Sequence, residues 1–146
     1  MTGAITVDIA APIASLVTLT ERGMEDAPKE IAAITEYHAH VYYDPSNAED
    51  RGRAATLRAW VEARFPARMG RWHDVPVGPH PGAMYQIAFA PELFPTLAPF
   101  LMLNRMGLTV LLHPETGRPR DDHTRHAAWL GEILTLKTEI LPETDA

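Results

Sequence analysis

The chain has 146 residues, 46% of them hydrophobic and 22% charged, which suits one domain large enough for a hydrophobic core. Its formal net charge of −6 argues against binding to the phosphate backbone of a nucleic acid. There is no cysteine, so disulfides and thiolate ligands are excluded, and a metal site would have to use His, Asp, Glu or Tyr. No apolar run reaches the roughly 18 residues of a membrane span and no secretion signal is recognised, so we expect a cytoplasmic protein without a membrane partner.

The sequence divides into an N-terminal extension and a folded domain. Residues 1–34 combine an apolar but aperiodic stretch with a charged one that contains Gly23 and Pro28. We expect this extension to be either partly ordered or docked on a neighbouring surface. Residues 35–146 carry the regular patterns of helices and strands and form the predicted domain.

The first strand and the first helix follow from clear patterns. Residues 37–43 alternate between two kinds of side chain, which predicts a strand. A turn comes next, and Asn47 is well placed to cap a helix over residues 48–67. Apolar residues recur along that helix from Leu57 to Phe65, so it has one apolar face and should pack on a sheet as a scaffold.

The next elements are shorter and less regular. They are a strand at residues 71–75, a proline-stiffened loop at 77–82, a strand at 84–90, a helix at 91–103 and an apolar strand at 108–112. Pro99 lies inside the second helix, where the missing N–H should kink or split it.

A last short helix is predicted near the end of the chain. Asp121 or Asp122 can cap it, and Trp129 lies near its end. His123 and His126 are three residues apart and would share one face of this helix. The residues that follow it are a weakly apolar strand or a tail.

The order strand, helix, strand, strand, helix, strand is that of the ferredoxin-like α+β fold, an antiparallel sheet with both helices on one face. Right-handed crossovers place the first strand in the middle, beside the third and fourth. The other sheet face would be bare, which a domain of this size rarely tolerates. We therefore expect either a homodimer that closes the two open faces or terminal segments that lie across them.

Two histidines on the first strand point to a metal site on that open face. His38, His40 and Tyr42 share one side of the strand, and the ~3.3 Å rise per residue sets the two histidines about 7 Å apart at the backbone. Side chains at that spacing can converge on one ion. His113 ends the strand expected next to them and can approach the same point. The alternative is that these histidines are ordinary polar residues on a wet surface.

Four sequence blocks together resemble one known family. They are YHAHVY at residues 37–42, VGPHP at 77–81, LLHPETG at 111–117, and DH at 122–123 followed by AWLG at 128–131. In this order they resemble the DOPA 4,5-dioxygenase family, small extradiol ring-opening enzymes of bacteria and fungi, over about residues 36–131. Residues 1–34 lie outside the resemblance.

The resemblance implies a ferredoxin-like fold with one Fe(II) ion, or zinc or another divalent metal in a purified sample. It implies extradiol cleavage of a catechol such as DOPA by O₂, to a muconic-semialdehyde-type product. It matches His38, His40 and His113, which we take as the metal ligands. It also matches His80 and His123, which we assign as acid/base groups or substrate contacts, with metal ligation as the alternative.

A carboxylate ligand is harder to place. Usual non-haem Fe(II) sites combine two histidines with one carboxylate and leave positions open for substrate and O₂. Glu36 shares the strand face but lies about 13 Å from His40 along the backbone. Glu115 and Asp122 are other candidates, and a site of three histidines, closer to a zinc site, is equally compatible.

Substrate contacts are open to two interpretations each. Tyr42 either hydrogen-bonds a ligand or packs in the core. Arg125, with its neighbours Arg118 and Arg120, either meets a substrate carboxylate or belongs to a solvated loop. We expect His126 to be structural.

Two other functions are open on the sequence alone. The first is a metal- or small-molecule-binding dimeric protein without dioxygenase activity, which would retain metal without consuming O₂. The second is a cofactor-free monooxygenase of the dimeric α+β type. Activity of that enzyme would survive chelation, whereas activity of an iron dioxygenase would not.

Overall fold

The computed structural model describes residues 27–145. The strands are β1 (Glu36–Tyr42), β2 (Arg68–Met69), β3 (Met84–Phe89), β4 (Val110–Glu115) and β5 (Ala128–Leu130). The α-helices are α1 (Ala48–Arg64), α2 (Phe94–Asn104) and the single turn α3 (Pro119–Asp122), and short 3₁₀ helices lie at Ile31–Ala33, Pro91–Leu93 and Thr138–Ile140. Most of the predicted N-terminal extension, residues 1–34, falls outside the described residues, so that prediction stays a prediction.

The five strands form one antiparallel sheet in the order β2-β3-β1-β4-β5. The central position of β1 between β3 and β4 confirms the topology predicted from right-handed crossovers. The architecture is the predicted ferredoxin-like α+β plan, extended by β5 at one edge. Within residues 27–145 no helix is long and apolar enough to cross a membrane.

One sheet face is the hydrophobic core. Ala39 and Val41 of β1 are fully buried there against α1 and α2, whose Leu57, Val61 and Leu97 are equally inaccessible. Asn47 caps α1 as predicted, because its side chain accepts hydrogen bonds from two backbone N–H groups of the first turn. Full burial of a side chain such as Leu57 contributes about 2 kcal/mol, so packing on the sheet stabilises α1.

The opposite face is partly covered by the last part of the described chain. Tyr42, Met84 and Leu111 form a second, smaller apolar cluster on this face. Side chains that pack on that cluster are Val77, Ala127, Trp129, Leu134 and Leu136. The backbone N–H of Lys137 also donates to the carbonyl of Pro79 at 2.9 Å. The sequence predicted that either a terminal segment or a second copy of the chain covers this face. A terminal segment does so in part, and the homodimer stays a prediction.

The predicted strand at residues 71–75 is wrong. Only His73 pairs with β3, through an isolated bridge to Met84, and the strand that borders β3 is the earlier β2. Asp74 turns its carboxylate to the Tyr43 hydroxyl at 2.7 Å instead of continuing the ladder. Pro76 then lacks the N–H that a longer strand would need.

Both long helices differ at one end from their predicted bounds. The first ends at Arg64, three residues early, because Phe65 precedes Pro66 and the proline ring disfavours helical backbone at Phe65. The second begins as the 3₁₀ turn Pro91–Leu93 before α2, which contains Pro99 and runs one residue further than predicted.

The predicted last helix is also wrong. Helix α3 stops at Asp122, and residues 128–130 are the strand β5, which pairs with β4. Pairing with β5 satisfies the backbone N–H and C=O groups on the outer edge of β4. A helix at residues 128–130 would leave those groups without hydrogen-bond partners from this segment. His123 and His126 therefore do not share a helix face.

Candidate metal centre

Five histidines meet on the sheet face opposite the helices. We call them the histidine cluster: His38 and His40 of β1, His113 of β4, His80 of the loop before β3, and His123 directly after α3. Ring centroids are 3.9 Å apart for His113 and His123, 4.2 Å for His40 and His80, and 5.1 Å for His40 and His113. The structure thus brings together every histidine that the sequence singled out as a ligand or acid/base group.

Strand register explains why three of these residues meet. His38 and His113 are direct cross-strand partners in the antiparallel pair β1–β4. Alternation along β1 places His40 on the same face as His38. The prediction that His113 ends its strand needs correction, because β4 continues through Glu115.

His40 and His113 have the spacing of two ligands of one ion. Their Nε2 atoms are 3.0 Å apart, and both side chains are buried. Two nitrogens bound to one metal at about 2.1 Å and at right angles would lie about 3 Å apart. His40 Nδ1 is buried and has no hydrogen-bond partner among the described residues. The donor set therefore fits a divalent metal.

Two overlapping sets of three histidines could hold that metal. One set is His38, His40 and His113, and the other is His40, His80 and His123. In each set the ligand atoms lie within 4.8 Å of one another. His40 belongs to both sets, so it is the residue around which a site in this cluster is built.

Backbone carbonyls fix the proton position on two of the rings. His113 Nδ1 is 3.0 Å from the Pro114 carbonyl, and His123 Nδ1 is 2.7 Å from the Pro119 carbonyl. A carbonyl oxygen can only accept, so each Nδ1 carries a proton and donates it. In the neutral ring the lone pair is then on Nε2, which is the arrangement typical of metal-bound histidines.

Burial keeps these rings neutral. It lowers the pKa of His113 to about 3 and that of His80 to about 4, and repulsion from His123 adds to the effect at both rings. Burial likewise holds the pKa of His40 well below its usual value, with further lowering by the surrounding histidines, and also lowers the pKa of His123. Neutral rings offer lone pairs at neutral pH without first releasing a proton.

His38 has a different environment from the other four. Its Nε2 is 2.8 Å from Glu36 Oε1, and its Nδ1 is 3.2 Å from Glu115 Oε1. The second oxygen of Glu36 accepts from Arg68 at 2.7 Å. Burial raises the pKa of the Glu115 carboxyl above its ordinary value. Both strand carboxylates considered from the sequence thus lie beside His38.

The third candidate carboxylate, Asp122, has a structural role. It is fully buried and accepts hydrogen bonds from the Thr116 backbone N–H at 2.8 Å and the Thr116 hydroxyl at 2.7 Å. His126 Nδ1 lies 2.9 Å from Oδ1, the oxygen that also accepts from the Thr116 hydroxyl. Asp122 and His126 therefore join the segment of His123 to the end of β4.

Tyr42 and Arg125, the two predicted substrate contacts, have different surroundings. The Tyr42 hydroxyl is 2.6 Å from His80 Nδ1, and the ring stacks on Trp129 with centroids 6.0 Å apart. Burial raises the pKa of Tyr42, so its hydroxyl stays protonated and can donate. The Arg125 side chain is 75% exposed and pairs with Asp121 at 3.7 Å. A substrate contact by either residue stays a prediction.

Sequence reasoning missed three side-chain contacts at this site. The link between Tyr42 and His80 has no signal in the sequence, because it depends on the path of the loop before β3. The contact of His38 with Glu36 was accessible, because both lie on the same side of β1 two residues apart. The contact with Glu115 depends on β4 extending beyond its predicted end.

Comparison with known proteins gives a consistent result. The model of the Dopa 4,5-dioxygenase family matches residues 37–140. A DOPA 4,5-dioxygenase from Amanita muscaria is 34% identical over 115 residues, which cover 75% of this chain and 50% of that protein. An uncharacterized 21.2 kDa protein from Botryotinia fuckeliana is 36% identical over 114 residues, 72% of this chain and 62% of that protein. The chain thus spans only about half to three fifths of these relatives.

A solved structure shares the fold. The crystal structure of a candidate dioxygenase from Nostoc punctiforme, at 1.46 Å resolution, superposes with a TM-score of 0.74 and 47% identity. The match covers 77% of this chain and 96% of that one. Because the family match spans more than half of the sequence, this chain belongs to the Dopa 4,5-dioxygenase family.

Proposed function

We propose that this protein is a metal-dependent dioxygenase that opens the ring of a catechol with O₂, by extradiol cleavage. The observation that carries the proposal is the pair His40 and His113, two buried histidines whose Nε2 atoms are 3.0 Å apart. Family membership and the name of the Amanita muscaria relative support a catechol such as DOPA as substrate. Homodimer formation and a cytoplasmic location remain part of this proposal.

His40 and His113 would hold the metal, with further nitrogens from the histidine cluster. Ferrous iron, when bound, would provide one centre for both catechol oxygens and O₂. The Asp122 carboxylate already accepts hydrogen bonds from Thr116 and contacts His126. These partners favour a ligand set made only of histidines.

His80 is the residue best placed to hold a proton at this site. When the Tyr42 hydroxyl donates to His80 Nδ1, the proton of the neutral ring is on Nε2. The neutral His80 ring can then donate a hydrogen bond from Nε2 to an oxygen of a bound catechol while it keeps its own proton. Trp129 stacks on the Tyr42 ring and covers one of its faces.

Oxygen uptake tests the proposal. Metal is removed from the purified protein, Fe(II) is added without air, and O₂ and a panel of catechols that includes DOPA follow. We expect iron-dependent O₂ uptake with a new visible absorption band from the ring-opened product. His73→Gln, outside the histidine cluster, serves as the matched control for His113→Gln, which should abolish uptake.

Each alternative function gives a different result in this assay. One bound metal per chain with no uptake on any catechol would favour a binding protein without dioxygenase activity. Uptake that survives chelation would instead favour a cofactor-free oxygenase. Either result would contradict the proposed function.

A further inference from the structure

We propose that His38 is a positioning residue and not a ligand of the metal. It joins Glu36 and Glu115 across the central strand pair and holds Glu115 beside His113. This inference rests on the proposed function, because it concerns the same metal centre, and it departs from the expectation that the sequence gives for His38.

Both ring nitrogens of His38 are already engaged. Nε2 hydrogen-bonds with Glu36 at 2.8 Å, and Nδ1 lies within ion-pair distance of Glu115, at 3.2 Å. His113 and His123 differ, because each uses Nδ1 for a backbone carbonyl and keeps Nε2 for a metal. A metal bound to His38 would have to displace one of the two carboxylates first.

Strand register gives His38 a reason to be placed between those carboxylates. Glu36 and Glu115 are direct cross-strand partners in β1 and β4. Like charges at such positions destabilise a sheet, and both side chains are partly buried, with 30% and 27% exposure. His38 hydrogen-bonds with one oxygen of Glu36 and lies 3.2 Å from one oxygen of Glu115, and Arg68 donates to the other oxygen of Glu36. The imidazole thus keeps the two carboxylates together.

Glu115 transmits the effect of His38 to the metal centre. Its Oε1 lies 3.7 Å from His113 Nδ1, whose proton is donated to the Pro114 carbonyl. A carboxylate near the protonated nitrogen of a ligating histidine strengthens the lone pair on the other nitrogen and orients the ring. Loss of His38 releases Glu115 and weakens that support, while the ligands themselves remain.

Binding of Co(II) distinguishes a positioning residue from a ligand. Wild type, His38→Gln, Glu115→Gln, His113→Gln and the control His73→Gln are titrated with Co(II), and stoichiometry, affinity and the visible bands of the bound ion are recorded. We expect His38→Gln and Glu115→Gln to retain one ion per chain with unchanged bands and an affinity lower by about tenfold. His113→Gln should lose stoichiometric binding.

The double variant completes the test. Because His38 acts through Glu115, His38→Gln combined with Glu115→Gln should bind Co(II) about as well as either single variant. Loss of the ion or a shift of its bands in His38→Gln, or additive losses in the double variant, would overturn this inference alone. Absence of Co(II) binding by the wild type would overturn the proposed function and this inference with it. Circular dichroism confirms that each variant is folded.

Discussion

On one side of β1, Ala39 and Val41 pack against leucines of α1 and α2, whereas on the other side His38 and His40 lie among imidazoles and carboxylates. Residues that alternate along one strand therefore enter two very different environments. The helix-covered face gains free energy from apolar burial. The histidine face buries His40, His80 and His113, and it leaves His40 Nδ1 without a hydrogen-bond partner among the described residues. The difference indicates that the first face stabilises the fold and that the second is arranged for a ligand.

The largest effect on stability should come from the helix-covered face. Leu57→Ala removes a fully buried side chain and should lower the free energy of unfolding by about 3 kcal/mol, through lost burial and a new cavity. Urea denaturation measures it, with Thr56→Ala on the exposed side of the same helix as the control. A loss for Leu57→Ala no greater than that of Thr56→Ala would break the comparison of the two faces.

Bound metal should stabilise the folded protein, and it should do so only through contacts on the histidine face. A free metal concentration of about 100 times the dissociation constant should raise the free energy of unfolding by about 2.7 kcal/mol, because the ion binds the folded state alone. Thermal unfolding with and without Co(II) measures this effect. Leu57→Ala should keep the metal-dependent shift, and His113→Gln should lose it. Equal shifts in all three proteins would contradict a site on the histidine face.

Acid should destabilise the metal-free protein through the histidine face, with an effect that grows gradually as pH falls. The pKa of His80 in the folded protein is about 4 and that of His113 about 3, both below the usual value of 6.5. As pH falls below about 6.5 the unfolded chain takes up protons that the folded chain does not, so the stability of the metal-free protein declines toward pH 4. Urea denaturation at several pH values tests this, and His80→Gln should flatten the profile. A wild-type profile that is flat over this range would disagree with neutral buried histidines.

The smallest effect on stability should come from His40→Leu. The change removes a buried ring whose Nδ1 lacks a hydrogen-bond partner among residues 27–145, but it also deprives the buried Nε2 of His113 of its contact with His40 at 3.0 Å. These two effects oppose each other, so the free energy of unfolding of the metal-free variant should stay within about 1 kcal/mol of wild type. The variant should also fail to bind metal. Unchanged stability together with lost binding would show that this position serves a ligand and not the fold. Much lower stability of the metal-free variant would instead show that His40 supports the fold itself.

Much of this contrast could be predicted from the sequence. Alternation over residues 37–43 predicted the face of His38 and His40, and the order of elements predicted that β1 is central. Convergence of His80 and His123 on the same face came only from the family resemblance, because neither residue lies in a periodic element. Local patterns carry no information on where a loop returns in space.

The end of β4 shows why other parts could not be predicted. Pro114 argues against a strand, since proline cannot donate to a ladder. The Glu115 carbonyl accepts from Thr35 N–H on the β1 side, so the preceding Pro114 turns to the other side, where β5 pairs no further than Leu112. Proline is tolerated there because, within the described residues, no strand pairs with that side of position 114. Because the sequence does not show where β5 ends, it does not predict that β4 continues to Glu115. The contact of Glu115 with His38 could therefore not be predicted either.

The hydrogen bond from Lys137 to the Pro79 carbonyl has a consequence for the order of assembly. The buried residues of the helix-covered core all lie at or before Leu112. Residues 134–137 come later in the chain and add contacts to the second apolar cluster and to the loop that holds His80. A metal bound by the histidine cluster would therefore have a finished site only after these last residues had packed on this face.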